Sequence, residues 1–298
     1  MAAAVGRLVM AWRAAEPSDL AWIEALLFAH IEGAMFLIGN LRDHGFGSDH
    51  SHGLTLWVRE ARDGVFGITN SGSVMMMAPG ATRRDWQEAG QLLAGRDVTA
   101  VLGKAMQARR FIAANDIGDH PCQLDRDDPG FVLDLRDVSV EMRPEEALVP
   151  LAEAPRGLVE GWRAAYEVEV LNAAPDAARD KARHDIATYI ARDSHRVLTV
   201  QGEPVAMSGF NTAFDEAVQV GGVYTPPMLR GRGYARRVVG RHLLEARERG
   251  ARQGVLFAAG KDAARAYRAL GFQPADAFAL VLFSTPAQIC AGRVEDVR

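Results

Sequence analysis

Positive charge, cysteine and long apolar runs are all in short supply in this chain of 298 residues. Its 38 acidic residues outnumber 34 basic ones, a formal net charge of -4. The bulk positive charge that binds a phosphate backbone is therefore missing, and nucleic acid is not an expected partner. No stretch approaches the roughly 18 to 20 uninterrupted apolar residues of a membrane-spanning helix. The opening run "MAAAVGRLVMAW" has no positive segment ahead of its alanines and no long apolar core. A cytoplasmic protein with no membrane partner is the expectation. Cys122 and Cys290 lie far apart, outside any CxxC and without a histidine at ligand spacing, so both are expected to be small buried hydrophobes.

What remains is ordinary soluble-protein chemistry, 48% hydrophobic and 24% charged. The length suits two domains of roughly 100 to 200 residues. In the second half, "SVEMRP" (139 to 144) reads as a strand, and "PRGLVEGWRAAYEVEVLNAA" (155 to 174) as a helix through Leu158, Trp162, Tyr166 and Glu169. "DAARDKARHDIATYIAR" (176 to 192) reads as a second helix with Asp176 as its N-cap. Three strands follow, "RVLTV", "PVAMSGF" and "AVQVGGVYT", with Asp215 and Glu216 on a solvated hairpin turn and His195 as a cap or turn residue ahead of the first. From Gly233 to a stop at Gly250 an amphipathic helix is expected, with Arg236, Arg237 and Arg241 on its solvated face. A buried strand "GVLFAAG", a short helix closed by Gly271 and a last strand "AFALVLF" complete the order.

The first half repeats this order faintly. Asp19 to Asp43 is helical in period, three strands span "LTLWVREARDGVFGITNSGSVMMMAP", and "TRRDWQEAGQLLA", "VTAVLG", "QARRFIAAN" and "FVLDL" give helix, strand, helix and strand. Pro79 after "VMMM" matches Pro226 after "VYT", and "LGKAMQARRF" echoes "AAGKDAARAY" with one residue of slippage. An internal duplication with its boundary near Leu135 to Ser139 is inferred.

The chemistry concentrates in "VYTPPMLRGRGYARR" (223 to 237). A glycine-rich turn between a strand and a helix points unpaired amides, and the positive end of the helix dipole, at one place where an anion fits. A Walker loop needs GxxxxGK and then Ser or Thr, and no lysine lies between 225 and 260. A dinucleotide fingerprint needs GxGxxG, whereas Gly231-Arg232-Gly233 runs on to Tyr234, Ala235 and Arg236.

Arg230, Gly233 and Ala235 do fill the first, fourth and sixth places of the Q/R-x-x-G-x-G/A signature, and the chain thereby resembles the GNAT acetyltransferase superfamily. The context agrees: "VGGVYT" and Pro226 precede the signature, "A-x-x-x-Y-x-x-L-G-F" (263 to 272) follows it, and the element order from 139 to 283 is that of the superfamily fold. The resemblance implies an α/β fold of α+β type with two tandem GNAT-like domains, each a mixed, mostly antiparallel twisted sheet flanked by helices. Residues 1-136 would be a degenerate copy and residues 137-298 the catalytic, acetyl-CoA-binding domain. It also implies acetyl-CoA as cosubstrate, no metal, and a small-molecule, peptide or protein amine as acceptor. The amides of Gly231, Arg232, Gly233, Tyr234 and Ala235 would hold the diphosphate, with Arg230 and Arg232 as flanking charge. Val223, Tyr224 and Thr225 would hold the pantetheine arm, an amide such as that of Val223 would polarise the thioester carbonyl, and Tyr267 would protonate the departing thiolate. One departure stands out: many members carry Asn seven residues before that tyrosine, where this chain has Gly260, with Lys261 and Asp262 next to it.

On the acceptor side, an amine must be neutral to attack, and a carboxylate acting directly or through water is the usual device. Glu167 and Glu169 lie on the first helix of this half. Glu169 shares a face with Trp162 and Tyr166 and is the candidate base; the alternative is a helix-boundary carboxylate that reaches solvent or pairs with an arginine such as Arg183. His44, His50 and His52 bunch with Asp43 and Asp49, but their spacing fixes no coordination geometry. In the first half "APGATRRDW" lacks the signature, and the tyrosine's counterpart lies near Phe111. A protein that binds acyl-CoA as a sensor or scaffold without turnover is the competing expectation.

Overall fold

The computed structural model describes residues 11–214 and 216–290; most of the opening run, and Asp215 of the expected hairpin turn, lie outside the described residues. The chain forms two compact units, one running to Asp125 and resuming at Ala279, the other Arg126–Phe278. The halves read from the repeat, 1-136 and 137-298, follow the duplication, whereas these units follow the packing. The two divisions differ by the last strand of each half.

The first unit contains β1 (Trp12–Ala14), α1 (Leu20–Ala29), α2 (Ile31–His44), β2 (Leu54–Arg59), β3 (Val65–Thr69), β4 (Ser73–Met77), α3 (Arg83–Leu92), β5 (Asp97–Lys104), α4 (Ala105–Ala114) and the start of β6 (Cys122–Asp134). β1 to β4 pair antiparallel in sequence order, and β5 then lies parallel to β4. β3 and β4 are buried almost throughout, so their apolar runs do not alternate. The single helical period read over Asp19 to Asp43 resolves into two helices because His30, at φ -127° and ψ 35°, leaves helical geometry. Trp12 meets Phe66 edge-on at 4.7 Å, and Trp86 and Phe111 complete an aromatic core.

The second unit takes β6 from Arg126 onward and adds β7 (Glu146–Pro150), α5 (Arg156–Leu171), α6 (Pro175–Ala191), β8 (His195–Val200), β9 (Glu203–Ala213), β10 (Ala217–Tyr224), α7 (Tyr234–Glu248), β11 (Gln253–Phe257), α8 (Lys261–Arg268) and the first part of β12 (Gln273–Gln288). β7 to β10 pair antiparallel, β11 lies parallel to β10, and β6 pairs antiparallel with β11. Three antiparallel pairings and one parallel pairing thus recur in both units, the pattern the duplication predicts. The exchanged elements are the long strands: β6 leaves the first half to flank β11, and β12 leaves the second to lie beside β5. Ala279, Val281, Phe283 and Ala287 of β12 are accordingly buried in the first unit's core.

Three readings are corrected here. The strand expected at 139 to 144 lies at Glu146–Pro150, where Glu146 to Pro150 pair with Val200 to Arg196. α6 is preceded by Ala174 as N-cap and begins at Pro175, whose preset φ suits the first helical position, so Asp176 sits in the first turn. Cys122 is only partly buried and Cys290 is exposed, because β12 ends at Gln288; both are free thiols.

The exchange of β12 is testable. Phe283→Ala removes a ring from the first unit's core and should cost about 3 kcal/mol. Amide exchange should then quicken in β2 to β5 while β7 to β10 keep their protection; the reverse pattern would contradict the exchanged strand.

Candidate functional site

β10 and β11 pair only from Ala217, Val218 and Gln219 to Gln253, Gly254 and Val255. Beyond this third rung β11 ends at Phe257 along β6, while β10 continues to Tyr224 along β9. On the β9 side a register shift between Gly221 and Tyr224 leaves Gly222 and Val223 as a bulge, with Gly222 at φ +60°. The strand end is then turned by Pro226 and a 3-10 turn, Pro227–Leu229, and the Arg230 guanidinium donates from Nε to the Thr225 carbonyl at 2.9 Å.

The signature turn follows. Gly231 and Gly233 have φ of +78° and +77°, values that strain any residue with a Cβ. Gly233 is the N-cap of α7 and offers no side-chain acceptor to the first helical turn. The first unit treats the same place in the opposite way. There Thr82 Oγ1 accepts from the Asp85 amide, Asp85 accepts from the Thr82 amide and pairs with Arg59 at 2.7 Å, and α3 is closed by a full capping box. The Ala78 amide after β4 donates to Gln107 Oε1 at 2.7 Å, and Phe111 is fully buried. At the helix start, side chains of the first unit supply the cap that no side chain supplies in the second.

Arg237 is not on a solvated face. It is 2% exposed, donates from Nε to both oxygens of buried Glu146 at 2.8 and 3.1 Å, and donates from Nη1 to the Arg232 carbonyl at 3.1 Å. The turn between the two glycines is therefore tied to β7 through one side chain. Arg241 is also largely covered, with Nη1 4.0 Å from Glu146, which leaves Arg236 the more open of the three. The helical period put all three on one polar face. The partner that draws Arg237 inward lies 91 residues away, which no local pattern reveals.

Tyr267 is 7% exposed, packs against Phe272, and shares an apolar cluster with Val223 and Tyr234. Burial, and then the neighbouring Tyr166 phenol, push its pKa above the usual tyrosine range. Glu169 accepts from the Tyr224 hydroxyl at 3.1 Å and from Arg230 Nη2 at 2.5 Å, so it joins α5 to β10 and to the signature turn. Arg183 pairs with Asp180 instead. Glu167 is 3% exposed and holds Arg163, which also bonds Asp185 at 2.8 Å; Lys181 approaches both carboxylates. That network locks α5 to α6. Gly260 and Lys261, where the family pattern has Asn, line a cavity of about 490 Å³ with Arg126, Asp128, Ala264 and Arg268.

His195 is also corrected: it opens β8 with 1% exposure, stacked on Tyr189 at 3.7 Å, rather than capping a turn at the surface. His44 and His50 stack face to face at 4.0 Å, with His52 tilted against both. Among the described residues no group of three or more His, Cys, Asp or Glu could hold a metal, and no helix is long and apolar enough to cross a membrane.

Residues 158–272 match the Acetyltransferase (GNAT) family model, so the chain carries a domain of that family. No curated protein matches. Among solved structures, a protein from Drosophila is 14% identical over 92% of this chain and 99% of its own, with a TM-score of 0.61. A GCN5-related N-acetyltransferase from Kribbella flavida is 15% identical over 86% and 95%, with a TM-score of 0.54. A tandem GNAT protein from the clavulanic acid biosynthesis pathway is 18% identical over 95% and 98%, with a TM-score of 0.52. At these identities the likeness establishes the fold.

The Arg237–Glu146 pair yields a stability prediction. Arg237→Met strands a buried carboxylate and should cost about 3 to 5 kcal/mol in denaturant unfolding, whereas Arg237→Met with Glu146→Leu should recover most of that loss. Additive losses in the double variant would mean that the two residues are not paired.

Proposed function

We propose that this GNAT-fold chain is an acetyl-CoA-dependent N-acetyltransferase that works through the half from residue 137 and transfers acetyl to an amine of a small molecule, peptide or protein. The observation that carries the reading is the uncapped helix start at Gly233, set beside a parallel strand pair that opens after three rungs. An uncapped start of this kind favours an anion through its free amides and the helix dipole. The first unit, with the same pairing pattern, has both positions filled by its own side chains and serves as an internal contrast.

Acetyl-CoA supplies the activated acetyl thioester. The amides of Gly231, Arg232, Gly233, Tyr234 and Ala235 would hold its diphosphate, with Arg230 and Arg232 adding positive charge. Main-chain groups of Val223, Tyr224 and Thr225 would hold the pantetheine arm. The bulged amide of Val223 would serve as an oxyanion-type donor. Tyr267 would hold a proton at Oη for the leaving sulfur. Neither Cys122 nor Cys290 lies on β10, α7 or α8, so transfer without an acyl-enzyme is the economical route. Glu169 remains the candidate base. Arg230 Nη2 donates to one of its oxygens and competes there with a proton taken from the amine.

Release of free thiol from acetyl-CoA across a panel of amines tests the reading; binding of CoA with no thiol release for any amine would favour a sensor. Tyr267→Phe should lower kcat about 100-fold with CoA affinity unchanged by calorimetry. A pKa raised in the folded state keeps the proton on as pH rises through the ordinary tyrosine value near 10. Any alkaline loss of activity belonging to Tyr267 should therefore fall above about pH 10. Glu169→Gln separates base from tether: loss of a base lowers kcat and removes the acid limb of the pH profile, whereas loss of a tether raises KM for acetyl-CoA and leaves that limb in place.

A further inference from the structure

The largest unexplained feature of the second unit is a set of buried polar atoms with no partner. Both amide atoms of Gln219 and Nε2 of His195 make no hydrogen bond, although each residue is only 1% exposed. Such atoms cost about 1 to 3 kcal/mol each when left unpaired, and they call for a ligand or a water.

Their placement is specific. Val218 and Val220 pack in the cluster beneath α7, so Gln219 between them points to the opposite face of β10. That face carries Val197, Met207 and Tyr224 under α5 and α6. Gln219 is also the last residue of β10 paired with β11, at the point where the two strands part. His195, two residues before Val197, lies on the same face and pairs across β9 through Gly209, which in turn pairs with Gly221. Its ring lies against backbone. A Cβ on Gly209 would run into Nε2, and one on Gly222 would come within 3.0 Å of the same atom. The other ring nitrogen is engaged by Ser194 Oγ at 2.9 Å. Burial holds the His195 pKa down, to about 3, so the ring is uncharged at neutral pH. Asn211 is exposed on this side, and its amide fills the space a Cβ on Gly221 would take.

We infer that Gln219, His195 and Asn211 form an acceptor subsite for an uncharged hydrogen-bonding group, a hydroxyl or an amide, carried next to the amine that is acetylated. The inference rests on the acetyltransferase reading and adds the class of acceptor. Gln219 at the strand divergence, Asn211 on β9 and His195 on β8 present two amides and a neutral imidazole on one face, which offer donors and acceptors but no charge. A hydroxyl or amide satisfies them, whereas an alkyl chain leaves them unpaired, and discrimination by such sites is steep. A charged group bonded on this face is Glu169, which accepts from the hydroxyl of Tyr224 and from Arg230.

The probes are ethanolamine, glycinamide and n-propylamine, three small amines that differ in the group beside the nitrogen. Rates are compared per concentration of unprotonated amine. In the wild type, ethanolamine or glycinamide should exceed n-propylamine about tenfold or more in kcat/KM. In Gln219→Met that ratio should fall to near unity with KM for acetyl-CoA unchanged, and the melting temperature should rise because an unpaired buried amide has gone. Asn211→Ala, at an exposed position, should lower the ratio without disturbing the fold. A ratio near unity in the wild type, or one that survives in both variants, overturns the subsite and leaves the acetyltransferase reading intact. Absence of CoA binding by calorimetry overturns both.

Discussion

Parallel pairing between β10 and β11 lasts for three rungs, and the geometry of the second unit turns on where it stops. A longer ladder would leave no gap, and the main chain of 222 to 225 would be consumed by hydrogen bonds to a neighbour. A register shift against β9 falls between Gln219 and Val220, at the last rung. Beyond it the bulge at Gly222 and Val223 bends β10, and Pro226, which has no N–H to donate, passes the chain to the glycine turn. Arg237 then fixes that turn to β7 through Glu146, so an irregular backbone is held by a buried side chain.

The two units show one architecture used in opposite ways. In the first, the helix start after β4 carries its own carboxylate at Asp85, and the strand-end amide of Ala78 is answered by Gln107. In the second, the helix start at Gly233 has no side-chain cap. A helix start capped by a side chain is the more stable arrangement, by only about a few tenths of a kcal/mol over a glycine N-cap, and the glycine start of α7 forgoes that increment. The unpaired amide of Gln219 has the same character. Such departures from full hydrogen bonding are expected where a ligand completes the structure.

Buried charge in the second unit is organised around arginines. Arg163 joins Glu167 and Asp185 between α5 and α6, Arg196 joins Asp193 and Glu245, and Arg237 joins Glu146. Each guanidinium presents a planar fork that satisfies a carboxylate and a second acceptor at once. The pairs connect elements distant in sequence, which is why α5, α7 and β7 hold their positions around irregular loops.

Element types and their order were legible because hydrophobic period and turn residues are local properties, and the signature at Arg230, Gly233 and Ala235 was legible because it is contiguous. Tyr267 could be singled out for the same reason. Tertiary structure alone decided that Arg237 is buried, that His195 lies against Gly209 and Gly222, that Glu169 faces Arg230, and that β12 serves the first unit. Each of these depends on a partner tens of residues away, and the sequence alone carries no information on which of several compatible partners a polar side chain will meet. The pattern of one chain prescribes what each segment can become; the packing of segments against one another selects which charges are paired, which amides are left open, and which strand completes which sheet.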